Sequence, residues 1–449
     1  MHVTYLGHAQ LFINAANQTL LVDPWFEEPV FGGAWFRYPP PPYPTAASLP
    51  RPSALLLSHI HPDHSGPGTL AQLSSLTPTY ALPFKSGALK RRLDRAKYSQ
   101  VHWASAWETF ELAPGVKVTF VPHDRGWEVS SIVIEAEGVR LYHGNDNPLS
   151  LEAYKKIRSQ LGPIDIAFLP FAGASSYPTG FDGDEATLKT RCAQKKAEGI
   201  KRFTEGLEGL QPADAAPFAS SWALLEESEL WKNYVDRPTP AEALAAAMPV
   251  AQASGSRLLM LEPGDEWTRE AGVLRKNMTR GWSYDAESVR RYATQERARV
   301  KAALQTARAP HRRGSDAALD AAVVEYFGEM TRATQASTSD LKMTAGFVAE
   351  GTPLSWTIEF EPGRPPSVQR GSAGVADETL LLPADELWSL VTGPANWEDV
   401  WYGYRLRVQK RPGAGYYRAF WEMLLNYDED ALSERLFDKY ATTPSRTTP

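Results

Sequence analysis

Along the first third of the chain, short apolar runs alternate with turn-forming residues. Leu11-Phe12-Ile13 and Thr19-Leu20-Leu21-Val22 read as short strands parted by an Asn-containing turn. Ala54 to Ser58 is a continuous apolar run, the pattern of a strand buried on both faces. Val116 to Val121 alternates between apolar and polar and stops at Pro122. Ser131 to Glu135 and Val139 to Tyr142 read as a hairpin closed near Gly138. Ile164 to Leu169 is a further buried strand, ended by Pro170. Helical stretches, Gly68 to Leu76 and Leu151 to Leu161, lie between the strands. Strands with intercalated helices predict a layered α/β domain.

Phe31 to Pro50 is rich in Pro, Gly and aromatic residues and has no period. It reads as a long, packed, substrate-facing loop. Residues from Trp267 to Gly314 are Arg-rich at helical spacing: Arg290, Arg291, Arg297, Arg299 and Lys301. They read as a solvated helical connector, or as a cationic surface for an acidic partner. From Leu341 to Tyr427 a β-alternating piece (Leu354 to Phe360) leads to a turn at Pro362 to Pro366. Thr379 to Leu382 and a helix from Ala384 to Leu390 follow, the pattern of a small α+β domain. The expected division is 1–266, a basic helical connector 267–335, and 336–449.

Composition narrows the class. The 449 residues are 43% hydrophobic and 22% charged, enough for two or three globular domains. A formal net charge of −6 gives no reason to expect nucleic acid as a partner. The single cysteine, Cys192, excludes an intrachain disulfide and any Cys-rich zinc or iron–sulfur site. Its flanks, Lys189 to Lys196, read as an exposed charged helix carrying an incidental thiol. The opening residues lack a basic segment, an apolar segment and a cleavage site, and no apolar run approaches a membrane span. A cytoplasmic protein is expected.

The chemistry concentrates in Ser58-His59-Ile60-His61-Pro62-Asp63-His64-Ser65-Gly66. Three imidazoles and a carboxylate follow a buried strand. Alternate positions on extended chain point the same way, so His59 and His61 can share one metal. Asp63 and His64 lie where a turn aims them at a second metal or at a bound water. His123 and Asp146 each follow a strand end, where loops build sites on a rigid scaffold. Imidazole and carboxylate together suit zinc or iron. Asp63 and Asp146 are the candidate catalytic carboxylates.

The order His-x-His-x-Asp-His, then His, then Asp resembles the metallo-β-lactamase superfamily, which implies an αββα sandwich. Thr4 to Ala9 and Leu21 to Trp25 resemble the branch containing N-acyl-phosphatidylethanolamine phospholipase D and the sialic-acid hydroxylases. Leu169 to Pro178, Ala216 to Ala219 and Leu261 to Asp265 are similar to landmarks of CMP-N-acetylneuraminate hydroxylase. That likeness covers residues 1–270. Asp377 to Leu380, Asp385, Leu387 and Gly393 resemble sterol-carrier-protein-2-like domains, in which Trp388, Trp397, Trp401, Tyr402, Tyr404, Tyr416 and Tyr417 would line a cavity or fill an ordinary core.

Two departures matter. The superfamily supplies a late histidine to its second metal, whereas here the histidine after His143 is His311, in the basic connector. The hydroxylases carry a Rieske module, for which this chain lacks the cysteines. The reading leans to a mono- or dinuclear non-haem iron oxygenase acting on a small molecule, served by a separate electron-transfer partner. The alternatives are a zinc-dependent hydrolase of an ester or phosphodiester, and a non-catalytic metal-binding protein.

Overall fold

The alternating apolar runs pair into two sheets whose buried faces meet. The computed structural model describes residues 1–276, 278, 281–308, 313–371, 376–393, 395–415 and 417–425. They form two compact units, Met1–Val30 with Trp35–Ala174 and Thr190–Val300, and Phe31–Ala34 with Ser175–Lys189 and the described residues from Lys301 onward.

In the first unit, one sheet runs in the order Gly272–Leu274, Glu266–Thr268, His2–Gly7, Gln10–Ala15, Gln18–Val22, Ala54–Leu56, Thr79–Ala81, Val101–Trp103. The other runs Arg257–Leu258, Asp214–Phe218, Ile166–Pro170, Val139–His143, Ser130–Ala136, Val116–Pro122, Thr109–Ala113. Val3, Leu11, Ile13, Leu20, Val22 and Leu56 of the first sheet bury against Val118, Phe120, Ile132, Ile134, Leu141 and Phe168 of the second. Helices cover both outer faces. Leu151–Leu161, the C-terminal part of Glu185–Leu210 and Pro240–Ser254 pack on the second sheet through Tyr154, Ile157, Phe203, Leu207 and Ala247. Ala88–Arg95 packs on the first through Leu89 and Leu93. The result is the αββα layering. The parallel pairs Val22↔Leu56 and His143↔Phe168 carry the metal-type side chains to the ends of adjoining strands.

Several local expectations change. Trp35–Arg37, inside the aromatic stretch, is a buried strand paired with Trp222–Leu224, because Trp35 stacks on Trp222 with ring centroids 3.8 Å apart. Cys192 is buried, not exposed: the long helix Glu185–Leu210 turns it inward, and burial raises its thiol pKa. The basic stretch is helical, as Ala286–Gln295 and Arg297–Arg308. Arg299 pairs with Glu28 at 2.8 Å and Arg297 with Glu227 at 2.7 Å, so these cations are largely satisfied within the fold. His311 lies outside the described residues.

The second unit holds a five-stranded sheet, Ser367–Arg370, Ser355–Phe360, Met343–Glu350, Glu378–Pro383, Arg407–Lys410. Helices Asp316–Ala333 and Ala384–Thr392 contribute Val323, Phe327, Leu387 and Leu390 to its core. Trp397 is buried among them and donates to the Tyr326 hydroxyl at 2.9 Å, while Trp388, Trp401 and Tyr417 pack partly buried around it. Tyr416 lies outside the described residues. Among the described residues, no helix is long and apolar enough to cross a membrane.

Candidate metal centre

Asp23 ties two strand ends together. It follows the strand Gln18–Val22, and its carboxylate accepts from the Ser58 backbone N–H at 2.8 Å and from Ser58 Oγ at 2.6 Å. Beyond Ser58 the chain stays extended through His59 and then turns into the short helix Pro62–Ser65, with His61 as its N-cap. Pro62 suits the first helical position because its missing N–H would have no partner there. The N–H groups of His64 and Ser65 donate back to the His61 carbonyl at 3.0 and 2.9 Å. Ser65 Oγ donates to the His59 carbonyl at 2.8 Å. His59 and His61 therefore leave the chain before the turn, and Asp63 and His64 leave it within the turn.

Two ligand sets result. His59, His61 and Asp146 bring one ligand atom each to within 4.8 Å of one another, as do His8, Asp63, His64 and Asp146. Asp146 belongs to both. In the first set His59 Nε2 and His61 Nδ1 are 2.8 Å apart. In the second, His8 Nε2 lies 2.9 Å from Asp63 Oδ2, and His64 Nε2 lies 3.4 Å from Asp63 Oδ2 and 3.3 Å from Asp146 Oδ2. His8, His59, Asp63 and His64 are buried, whereas the Asp146 side chain keeps 33% exposure and His61 is half-buried. Access to the site is on the side of Asp146 and His61.

The donor atoms fit a cation. His8 Nε2, both Asp63 oxygens and His64 Nε2 are buried and lack an aligned hydrogen-bond partner. A polar atom left so costs roughly 1–3 kcal/mol. Here four of them converge on one another, which a metal ion would satisfy. The remaining ring nitrogens are held from behind: His64 Nδ1 is 3.0 Å from Asp23 Oδ2, and His59 Nδ1 is 2.8 Å from Ser58 Oγ. Such outer partners fix ring orientation and raise ligand basicity.

The electrostatics agree. Burial, reinforced by the charges of His64 and His61, pushes His59 well below the usual histidine range, so it stays a neutral ligand. Burial acts to raise the Asp63 carboxyl, but the neighbouring charge of His64, then that of His8, outweighs it and holds Asp63 well below the usual range. Burial acts to lower His64, and Asp63, Asp146 and Asp23 overcome it, holding His64 well above the usual range. Three carboxylates around one imidazole describe a site prepared for positive charge.

His123 belongs to neither set. Its Nδ1 accepts from the Arg125 N–H at 3.1 Å, its ring stacks on Trp127 with centroids 4.6 Å apart, and its Nε2 is buried without a partner. Burial lowers its pKa to about 4. His143 Nε2 donates to the Ala9 carbonyl at 2.8 Å and its ring meets Phe218 edge-on.

His8 and Asp23 are the site residues that the histidine cluster did not reveal. Each stands in a short polar step after a buried strand, Gly7-His8 and Val22-Asp23-Pro24, and that position was the available signal. His8, Asp23 and Asn145 have φ of 53°, 44° and 38°. Non-glycine residues held in this region are costly and gather at functional sites. His8 is wedged edge-on between Trp25 and Trp35, at centroid distances of 5.2 and 6.2 Å. Trp35 is backed by Trp222, over which the Arg237 guanidinium lies at 3.7 Å.

Residues 18–198 match the profile of the β-lactamase superfamily domain. The first unit has the metallo-β-lactamase fold. The cytidine monophosphate-N-acetylneuraminic acid hydroxylase of Xenopus laevis is 28% identical over 240 residues, covering 49% of this chain and 38% of its own length. A metal-dependent hydrolase of Pyrobaculum calidifontis is 25% identical over 177 residues, covering 38% of this chain and 71% of its own length. Among solved structures, CmlA, a diiron β-hydroxylase from Streptomyces venezuelae, aligns at 18% identity with a TM-score of 0.41, covering 61% of this chain and 54% of its own. The chain spans about two-fifths of the length of the hydroxylase relatives it matches.

Proposed function

We propose that this protein is a dinuclear metal-dependent hydrolase acting on a small-molecule ester or phosphodiester. The observation that carries the reading is His8 beside Asp63 and His64. The lean toward iron and dioxygen draws on the stretches similar to the hydroxylases and on the missing late histidine of the second metal, and His8 bears on the second of these. His8 supplies an imidazole from the opposite end of the domain, so two ligand sets sharing Asp146 are available. In this reading His59, His61 and Asp146, with His123 as a further donor, would hold one ion, and His8, Asp63, His64 and Asp146 the other. Metal ions bound there would supply Lewis acidity and bring the pKa of a water to about 7.

The chain's own groups then divide the work. Asp63, buried between His8 and His64, acts as a ligand and not as a base facing solvent. Asp146 is the carboxylate with access to substrate. Asp23 and Ser58 keep His64 and His59 oriented so that no reorganisation is needed during reaction. Trp25 and Trp35 keep water from the back of His8.

A second reading, a non-haem iron hydroxylase served by a separate electron donor, draws on the similarity to the Xenopus hydroxylase. The donor set alone suits either metal. Turnover of a panel of activated esters and phosphodiesters by zinc-loaded protein without dioxygen supports the hydrolase. Turnover requiring iron, dioxygen and a reductant, with none in the zinc form, contradicts it. The second unit we read as an accessory sterol-carrier-protein-2-like domain, and its buried Trp397 supports a packed core.

A further inference from the structure

Helix Glu185–Leu210 can approach the end of strand Ile166–Pro170 because two glycines face it. A Cβ at Gly199 would come within 2.4 Å of the Phe171 carbonyl oxygen, and one at Gly206 within 2.9 Å of Leu169 Cδ2. Arg202 lies between them, three residues after one and four before the other, on the same side of the helix. Its guanidinium reaches the chain that follows the strand: a Cβ at Gly173 would lie 2.9 Å from Arg202 Nη1.

That guanidinium is largely withdrawn from water, and burial holds its pKa below the usual arginine range. Yet among the described residues it has no hydrogen bond and no carboxylate at ion-pair distance. Glu198 and Glu205 act on it only through longer-range charge, and Arg125 opposes them. Arg125 stands two residues beyond His123, is 66% exposed, and has Asp124 no closer than 3.9 Å. The Asp124 carboxylate already accepts from the Ser150 N–H at 3.2 Å. After burial and the Asp124 charge, both Arg125 and Arg202 are felt at the His123 imidazole. Two guanidinium groups thus act on one imidazole, that of His123, and the carboxylate paired with them is Asp124, at 3.9 Å from Arg125 and already engaged by Ser150.

Desolvating a cation and bringing a like charge near it are both unfavourable, and an oxyanion relieves both. Guanidinium groups present paired N–H donors that match carboxylate and phosphate oxygens. We propose that Arg202, assisted by Arg125, forms a subsite for an oxyanion substituent, carboxylate or phosphate, on the substrate. The subsite selects anionic substrates and seats their charged group next to His123. This rests on the reading of the neighbouring ligands as a metal centre.

The test is calorimetric titration of the full chain with inorganic phosphate and with acetate, in zinc-loaded and in chelator-treated protein, with zinc counted on the same samples. Wild type is expected to bind at least one of the two saturably. Tighter phosphate marks a phosphate-bearing substrate, and tighter acetate a carboxylate. Arg202→Met is expected to weaken binding at least about tenfold with zinc content unchanged, Arg202→Lys to restore part of it, and Arg125→Ala to cause a smaller loss. Should Arg202→Met fail to fold, Arg202→Gln takes its place. Unchanged affinity on removal of the guanidinium, or no saturable binding of either anion by wild type, overturns the proposal. A zinc count near zero in wild type counts against the metal centre instead, and the chelator-treated arm still tests Arg202.

Discussion

Asp23 Oδ2 lies 3.0 Å from His64 Nδ1, and both side chains are fully buried. The same carboxylate holds Ser58, whose hydroxyl contacts His59 Nδ1, so one residue braces an imidazole in each ligand set. Asp23→Asn removes the charge while keeping the shape. Loss of such a partner costs about 10- to 100-fold in metal affinity. Competitive titration with a chromogenic zinc chelator reads this directly, and wild-type affinity in the variant contradicts the bracing role.

Metal binding and proton binding compete at His64. In metal-free protein Asp63, Asp146 and Asp23 raise its pKa well above the usual histidine value, against the effect of burial. The stability this pairing contributes is therefore fully present below about pH 6.5, the unfolded value, and is lost as pH rises through the raised folded value. A metal ion takes the deprotonated ring, so loading near pH 7 is expected to release about one proton from this site. Calorimetry in buffers of differing ionisation enthalpy measures the number. Zinc uptake without proton release would contradict the protonated His64.

Helix Pro240–Ser254 provides a control remote from the chemistry. Thr239 Oγ1 accepts from the Glu242 N–H at 3.1 Å and the Glu242 carboxylate accepts from the Thr239 N–H at 2.7 Å, a reciprocal cap. Thr239→Ala should destabilise the fold by about 1 kcal/mol with metal content unchanged. A denaturant midpoint that does not move would show that the cap contributes nothing.

His123 offers a separate test of the first ligand set. Its Nε2 is buried without a partner, and burial keeps the ring neutral down to about pH 4. As a donor to the first ion, its replacement in His123→Ala should weaken that ion's binding while leaving the ion beside His8 in place. If both ions remain bound as tightly as in wild type, His123 is a wall of the site, stacked on Trp127, and nothing more.

Much of this was legible in the chain. The hairpin at Gly138 and the helix Leu151–Leu161 follow from period and turn chemistry, which act locally. The cluster from His59 to His64 is visible because four donors stand within six residues. His8 was not visible as a donor, because what brings it to Asp63 is the pairing of His2–Gly7 with Gln10–Ala15 inside a sheet assembled from distant segments. Trp35–Arg37 read as loop because its partner strand Trp222–Leu224 lies far along the chain. Cys192 read as exposed because its neighbours are charged, although one face of that long helix is buried. Local pattern reports elements and strand-end chemistry. It does not report which remote strand completes a site.

In the proposed dinuclear centre, His8 completes a second metal site beside the one formed by His59, His61 and Asp146. Elemental analysis of zinc-loaded, desalted wild type and His8→Ala protein tests it most directly. Two equivalents of metal per chain are expected in wild type and one in His8→Ala. A single equivalent in wild type, or two in the variant, would contradict it.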